Sequence, residues 1–168
     1  KSQFLDALVV NLAREQDWAF GICSPENLPA RRHIAKLIEQ YSGFPFREGP
    51  TQRLPKEGLL PALDWLHTHV YFVAPEEALT IPALLEKAKQ MVARYGIRGF
   101  ILDPWNEFDH TRPAGQTETD YISTSLGQIR RFARKCGVHV WVVAHPQMLY
   151  RREDDTYPVP TPYDISGS

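Results

Sequence analysis

The chain has 168 residues, of which 43% are hydrophobic and 23% charged, and this composition predicts a single domain with one substantial core. Its 19 basic residues are balanced by 20 acidic ones, so the overall charge does not favour nucleic acid or membranes, and any polyanion must bind a local patch. No run approaches the roughly 18 to 20 apolar residues of a membrane span, and Cys23 and Cys136 are too scattered for a disulfide framework. These features predict a cytosolic protein without membrane partners.

Helical and strand periodicities alternate along the chain. In chain order they predict a helix over about 3–14, a strand over 18–23, a helix over 28–41, a short helix near 59–67, a strand near 69–73, a helix over 82–95, a strand ending at Asp103, a helix over 118–135 and a strand over 138–145. A connector rich in Pro, Gly and charge occupies 42–58, a loop occupies 109–117, and residues 147–168 look irregular. This alternation predicts the α/β class, with a mainly parallel sheet and helices on both faces.

Apolar residues repeat with helical spacing in the first and last predicted helices, and we expect these stripes to face the core. In the first helix the expected inner residues are Phe4, Leu5, Leu8, Val9 and Leu12. In the last helix they are Ile122, Leu126, Ile129 and Ala133.

Three apolar strands end abruptly in an ionisable side chain: Glu26, Asp103 and His145. The carboxyl ends of parallel strands meet at one edge of a sheet, where α/β proteins bind their ligands, so the three groups are expected to converge there. Each residue also has an ordinary structural interpretation. Asp103 precedes a proline and suits a turn, and Glu26 could belong to the cap of the following helix.

The first two residues, Lys1 and Ser2, stand directly before the first helix. In a phosphate-binding loop of the form G-x-x-x-x-G-K-[ST], this Lys reaches the β and γ phosphates and this Ser binds Mg²⁺. We expect the glycines and the preceding strand to lie upstream, so that the chain begins inside the loop. A hydrolysing NTPase also needs one carboxylate for Mg²⁺ and another for the attacking water, roles that suit Asp103 and Glu26.

Several short motifs together resemble those of one family. They are Lys1-Ser2, SPEN at 24–27, ILDPWNEF at 101–108, the acidic run at 118–122, VVAHP at 142–146 and ISGS at 165–168. In this order and spacing they resemble the RecA-like ATPase domain of DnaB-like hexameric replicative helicases. The His-Pro pair is most similar to the phage and Twinkle type, which carries a Toprim primase-like domain.

The resemblance implies a RecA-like P-loop NTPase core that uses ATP and Mg²⁺. Lys1 would contact the β and γ phosphates, Ser2 and Asp103 would hold Mg²⁺, and Glu26 would activate water. His145 would sense the γ-phosphate as a nucleotide-binding and catalytic residue.

The same resemblance implies a ring, expected to be a hexamer, that moves along single-stranded DNA and unwinds duplexes during replication. Arg151 and Arg152 are candidates for DNA contact, although paired arginines beside acidic residues also suit a solvated surface. The arginine finger would lie beyond Ser168 and come from a neighbouring subunit, so the isolated chain should be nearly inert. A linked primase-like domain and the cytoplasm of a bacterial or phage-infected cell are further expectations.

Other functions remain open at this stage. A recombinase or another RecA-like ATPase would share the phosphate loop and the strand-end Asp without unwinding DNA. A metal-dependent hydrolase would use Asp103, Asp109, His110 and His145 around a divalent metal. A degenerate nucleotide-binding scaffold that never hydrolyses is the third alternative.

Overall fold

The computed structural model describes residues 2–28, 30–73, 80–112, 114–146, 155–159 and 161. They contain five α-helices and four β-strands, with two consecutive α-helices between the first and second strands. The elements are α1 (Ser2–Gln16), β1 (Phe20–Cys23), α2 (Ala30–Ser42), α3 (Lys56–His69), β2 (Val70–Phe72), α4 (Ile81–Tyr95), β3 (Gly99–Leu102), α5 (Glu118–Cys136) and β4 (His139–Val142). Short 3-10 helices follow β1 at Pro25–Asn27 and β3 at Trp105–Glu107.

Helix ends are set by local sequence signals. Thr80 and Thr117 cap α4 and α5, since each side chain accepts a hydrogen bond from the backbone N–H three residues on. Gly96 and Gly137 end the same helices in the left-handed conformation, with φ of 64° and 65°, which glycine adopts without steric cost. Each glycine therefore turns the chain directly into the next strand.

The four strands form one parallel sheet in the order β2-β1-β3-β4. The central strands β1 and β3 are buried along their whole length, as expected where helices cover both faces of a parallel sheet. Cys23 of β1 pairs with Leu102 of β3, which pairs with Val142 of β4, so these three strands end level with one another.

Two apolar layers sandwich the sheet. Helices α1, α2 and α3 pack on one face, where Val9, Leu37 and Trp65 are buried. Helices α4 and α5 pack on the other, where Leu84, Phe100 and Phe132 are buried. The predicted α/β class and the parallel sheet with helices on both faces are confirmed, and the arrangement is consistent with a RecA-like core.

The strand order creates a switch point between β1 and β3. The chain leaves β1 through helices on one face and leaves β3 through α5 on the other. Open α/β sheets bind ligands in a crevice at such a switch point, so the carboxyl edge between β1 and β3 is the expected ligand crevice.

Candidate functional site

Asp103 follows β3 at this crevice. The side chain is buried, with the residue 3% exposed, and its backbone N–H donates a hydrogen bond to the Cys23 carbonyl at 3.0 Å. The bond extends the β1–β3 pairing by one residue beyond the strands. The predicted strand-end position of Asp103 is therefore confirmed.

Glu26 lies in the 3-10 helix after β1, on the other side of the switch point. A capping role would direct its carboxylate to amides of the neighbouring turn. Instead Glu26 Oε2 lies 3.2 Å from His145 Nε2, a contact between residues 119 positions apart. Within this turn it is the Asn27 side chain that makes a local hydrogen bond, since its Nδ2 donates to Ser24 Oγ at 2.8 Å.

The Glu26–His145 contact unites two of the groups that the sequence predicts at this edge. Their side chains are 52% and 47% exposed, so water reaches both. Because β3 lies between β1 and β4, the contact passes over the carboxyl end of β3, where Asp103 is buried. The edge therefore carries a buried residue, Asp103, after the middle strand and an exposed carboxylate–imidazole pair from the strands on either side.

Asn106 also belongs to this arrangement, and sequence reasoning missed it. Its Oδ1 accepts a hydrogen bond from the backbone N–H of His145 at 3.0 Å. The available signal was its position three residues after Asp103, within the loop that leaves β3. Asn has no charge to mark it as a site residue, so the bond became visible only with the two loops in place.

A buried Asp6–His33 pair was likewise missed. Asp6 Oδ1 lies 2.6 Å from His33 Nε2, and both side chains are 4% exposed. The pair joins α1, which begins at Ser2, to α2, which follows Glu26. Asp6 stands outside the apolar stripe that periodicity selects in the first helix, so the pattern alone predicts a solvated carboxylate there.

The residues of the metal-hydrolase alternative do not converge. His110 Nε2 lies 2.7 Å from the Trp105 carbonyl oxygen and Nδ1 lies 3.3 Å from the Tyr121 hydroxyl, so both ring nitrogens have protein partners. Asp109 binds the hydroxyl and backbone N–H of Thr111, and the hydroxyl bond, followed by the backbone bond, holds the pKa of Asp109 below its usual value. No group of three His, Cys, Asp or Glu side chains within the described ranges could hold a metal ion.

Several candidate residues fall outside the description. Lys1, Arg151 and Arg152 lie outside the described residues, and for Ser2 the backbone at the start of α1 is described but not the side chain. The ISGS motif at 165–168 is also outside. Among the proposed Mg²⁺ ligands, the Asp103 carboxylate is the described donor, and carboxylate oxygen suits a hard divalent cation.

Two further findings concern the cysteines and the helices in the part of the chain that the structure covers. Cys23 and Cys136 are both free thiols. None of the described helices is both long and apolar enough to cross a membrane.

Comparison with known proteins gives one informative match. No family model matches the chain. The chain is 41% identical, over 174 aligned positions, to the Twinkle homolog protein, chloroplastic/mitochondrial, of Arabidopsis thaliana. The alignment covers 100% of the chain and 24% of the relative, so the chain spans about a quarter of that protein. The match supports the resemblance to DnaB-like replicative helicases that the sequence motifs indicate.

Proposed function

We propose that the chain is part of the ATP-hydrolysing motor domain of a DnaB-like replicative DNA helicase of the Twinkle type. The observation that carries the proposal is the Glu26–His145 contact over Asp103, at the switch point of the sheet. The 41% identity to the Twinkle homolog protein supports the assignment of this site to a protein of that type.

In this proposal ATP occupies the crevice at the carboxyl edge. Lys1 contacts the β and γ phosphates, and Ser2 and Asp103 hold Mg²⁺, which supplies positive charge to the phosphates when bound. The position of Asp103 directly after β3 supports its role, since strand ends at a switch point are where open α/β sheets hold their ligands.

Glu26 is the proposed base. Its half-exposed carboxylate contacts His145 through Oε2, and in this proposal Oε1 accepts a proton from water and directs that water at the γ-phosphate. His145 can hydrogen-bond the γ-phosphate with the same imidazole. Loss of the γ-phosphate would then change the contacts of the loop after β1, which carries Glu26, and of the loop after β4, which carries His145.

The wider machine is proposed from the resemblance. It comprises a ring, expected to be a hexamer, single-stranded DNA in contact with Arg151 and Arg152, and an arginine finger from a neighbouring subunit. A linked primase-like domain and a bacterial or phage-infected host also remain predictions. The name of the relative gives it a chloroplast or mitochondrial location, so the cellular compartment of this chain is a separate question.

The test uses the native-length protein that contains this chain. We expect ATP hydrolysis that single-stranded DNA stimulates, together with displacement of a strand from a forked duplex. A Glu26→Gln protein should bind nucleotide normally and lose about 100-fold or more in kcat, the usual effect of removing a general base.

Glu15→Gln is the matched control, because Glu15 is an exposed carboxylate near the C-terminal end of α1, whereas Lys1 and Ser2 stand at its start. It should leave hydrolysis unchanged. Stimulated hydrolysis without strand displacement would favour a recombinase-like ATPase, and unchanged hydrolysis in Glu26→Gln would remove Glu26 as the base. Absence of hydrolysis in the wild-type protein would leave the non-hydrolysing scaffold.

A further inference from the structure

Asn106 connects the loops that follow the neighbouring strands β3 and β4. Its side-chain oxygen accepts the backbone N–H of His145 at 3.0 Å, and the His145 ring in turn contacts Glu26 at 3.2 Å. Loops from all three strands at the site are thereby linked in series. Glu26 lies at one end of this series and Asn106 at the other.

The turn that presents Asn106 is firmly anchored. Trp105 is buried, and its backbone N–H donates to the Val143 carbonyl at 2.6 Å. Phe108 is also buried, and its N–H donates to the Trp105 carbonyl at 3.3 Å. Asn106 itself is exposed, so it lies on a fixed support without being part of the core.

His145 lies beyond the paired part of its strand. The backbone bonds that continue the β3–β4 pairing reach Val143, two residues before His145: its N–H donates to the Leu102 carbonyl at 2.8 Å and its carbonyl accepts the Trp105 N–H. At His145 the Asn106 side-chain oxygen accepts the backbone N–H, in place of the backbone carbonyl that accepts the Val143 N–H. The bond thus holds the backbone of the residue whose imidazole contacts Glu26.

We propose that Asn106 is a positioning residue that orients the Glu26 carboxylate through His145. The inference rests on the proposed function for its catalytic consequence. Loss of the Asn106 oxygen frees the His145 backbone, the imidazole leaves its place beside Glu26, and the base loses its alignment with water. Most of the nucleotide affinity should be preserved, because the proposed contacts of Lys1, Ser2 and Asp103 with the phosphates and Mg²⁺ do not depend on Asn106.

The first arm of the test measures geometry and does not depend on hydrolysis. Diethyl pyrocarbonate modifies accessible imidazole nitrogens, and trypsin releases His139 and His145 in the same peptide, which runs from Cys136 to Arg151. The ratio of modification at His145 to that at His139 should rise several-fold in Asn106→Ala. It should stay at the wild-type value in Asn106→Asp, which keeps the accepting oxygen.

The second arm measures ATP hydrolysis in the native-length protein. Asn106→Ala should lower kcat by about 10- to 100-fold with little change in KM, since a misplacement of about 1 Å can cost about 100-fold in rate. Asn106→Asp should recover most of the rate. In a His145→Ala background, Asn106→Ala should change kcat by less than about 2-fold, because residues that act through one another are not additive.

The two arms separate the possible failures. An unchanged modification ratio in Asn106→Ala, or an equal loss of kcat with and without His145, would overturn the positioning role. A wild-type protein that never hydrolyses ATP would sink the proposed function, whereas the modification ratio would still decide whether Asn106 holds His145. Thermal unfolding at the wild-type temperature is expected for Asn106→Ala, since the side chain is exposed.

Discussion

Cys23 ends β1 directly beneath the candidate site, and its environment makes it chemically inert. The residue is fully buried, and burial raises the pKa of its thiol from 9.0 to about 12, with a smaller lowering effect from Lys87. Reactive cysteines are partly exposed and have depressed pKa values. Cys23 is therefore a packing residue, although it lies close to Asp103.

The raised pKa predicts a loss of stability at alkaline pH. The unfolded thiol ionises near pH 9 and the folded thiol near pH 12, so the stabilisation is fully present below pH 9 and is lost as the pH rises toward 12. Between these values Cys23 should contribute a slope of up to about 1.4 kcal/mol per pH unit. Urea unfolding from pH 8 to 10.5 should show a shallower decline in Cys23→Ala than in Cys136→Ala, and equal slopes would contradict the assignment.

Strand-end residues were predictable from the sequence, whereas their contacts were not. Glu26, Asp103 and His145 each follow an apolar run, and parallel strands bring such ends to one edge. The Glu26–His145 contact depends on how far two separate loops extend, and no local pattern encodes that distance. Asn106 was missed for the same reason, since its role depends on its proximity to His145.

Gly99 in β3 and Gly127 in α5 differ in whether their surroundings leave space for a side chain. A Cβ on Gly99 of β3 would overlap the ring of Phe20, which is fully buried and has no room to move. A Cβ on Gly127, inside α5, would meet nothing closer than Arg131 Nη1 at 3.5 Å. The strand glycine is therefore required by packing, and the helix glycine is not.

Gly99→Ala and Gly127→Ala should consequently change stability in opposite directions. We expect the first to lower the free energy of unfolding by about 1–3 kcal/mol through overpacking. We expect the second to raise it by about 0.5–1 kcal/mol, because alanine loses less conformational entropy in a helix. Urea unfolding of both variants beside the wild type checks this, and a destabilised Gly127→Ala would mean that α5 needs a glycine there.

The sequence predicted every described α-helix and β-strand, with less accuracy in their ends and inner faces. Phe4 and Leu126 were expected to face the core, and that prediction is wrong, since they are 72% and 45% exposed. Ser125 and Phe132 are buried in α5 instead. Periodicity identifies a helix, but the rotation of its buried stripe depends on the sheet and helices that it meets.

At the scale of the whole molecule, the alternation of strands and helices was enough to predict a parallel sheet covered on both faces. It was not enough to give the order β2-β1-β3-β4. That order decides which strand ends border the crevice, and it places Glu26 and Asp103 on opposite sides of the switch point. Order depends on long-range pairing between strands whose local sequences look alike.

A ligand that occupies this crevice should stabilise the whole fold through Asp103. In the native-length protein, Mg²⁺ should raise the unfolding temperature in ATP further than ATP alone does, since a ligand at 100 times its Kd adds about 2.7 kcal/mol. Asp103→Asn should lose this Mg²⁺-dependent increment when each variant is compared with its own ligand-free midpoint. Asp64→Asn, at an exposed position of α3, should retain it.

The outcome separates the fold from the chemistry proposed for it. An undiminished increment in Asp103→Asn would mean that Mg²⁺ is held without this carboxylate, and the strand-end Asp would be a turn residue. A wild-type protein that ATP and Mg²⁺ do not stabilise would contradict nucleotide binding itself. Loss of the Mg²⁺-dependent increment in Asp103→Asn, with the increment kept in Asp64→Asn, would show that the carboxylate at the switch point binds the metal. The order of the strands would then determine the metal site, because it places Asp103 at the edge where ligands bind.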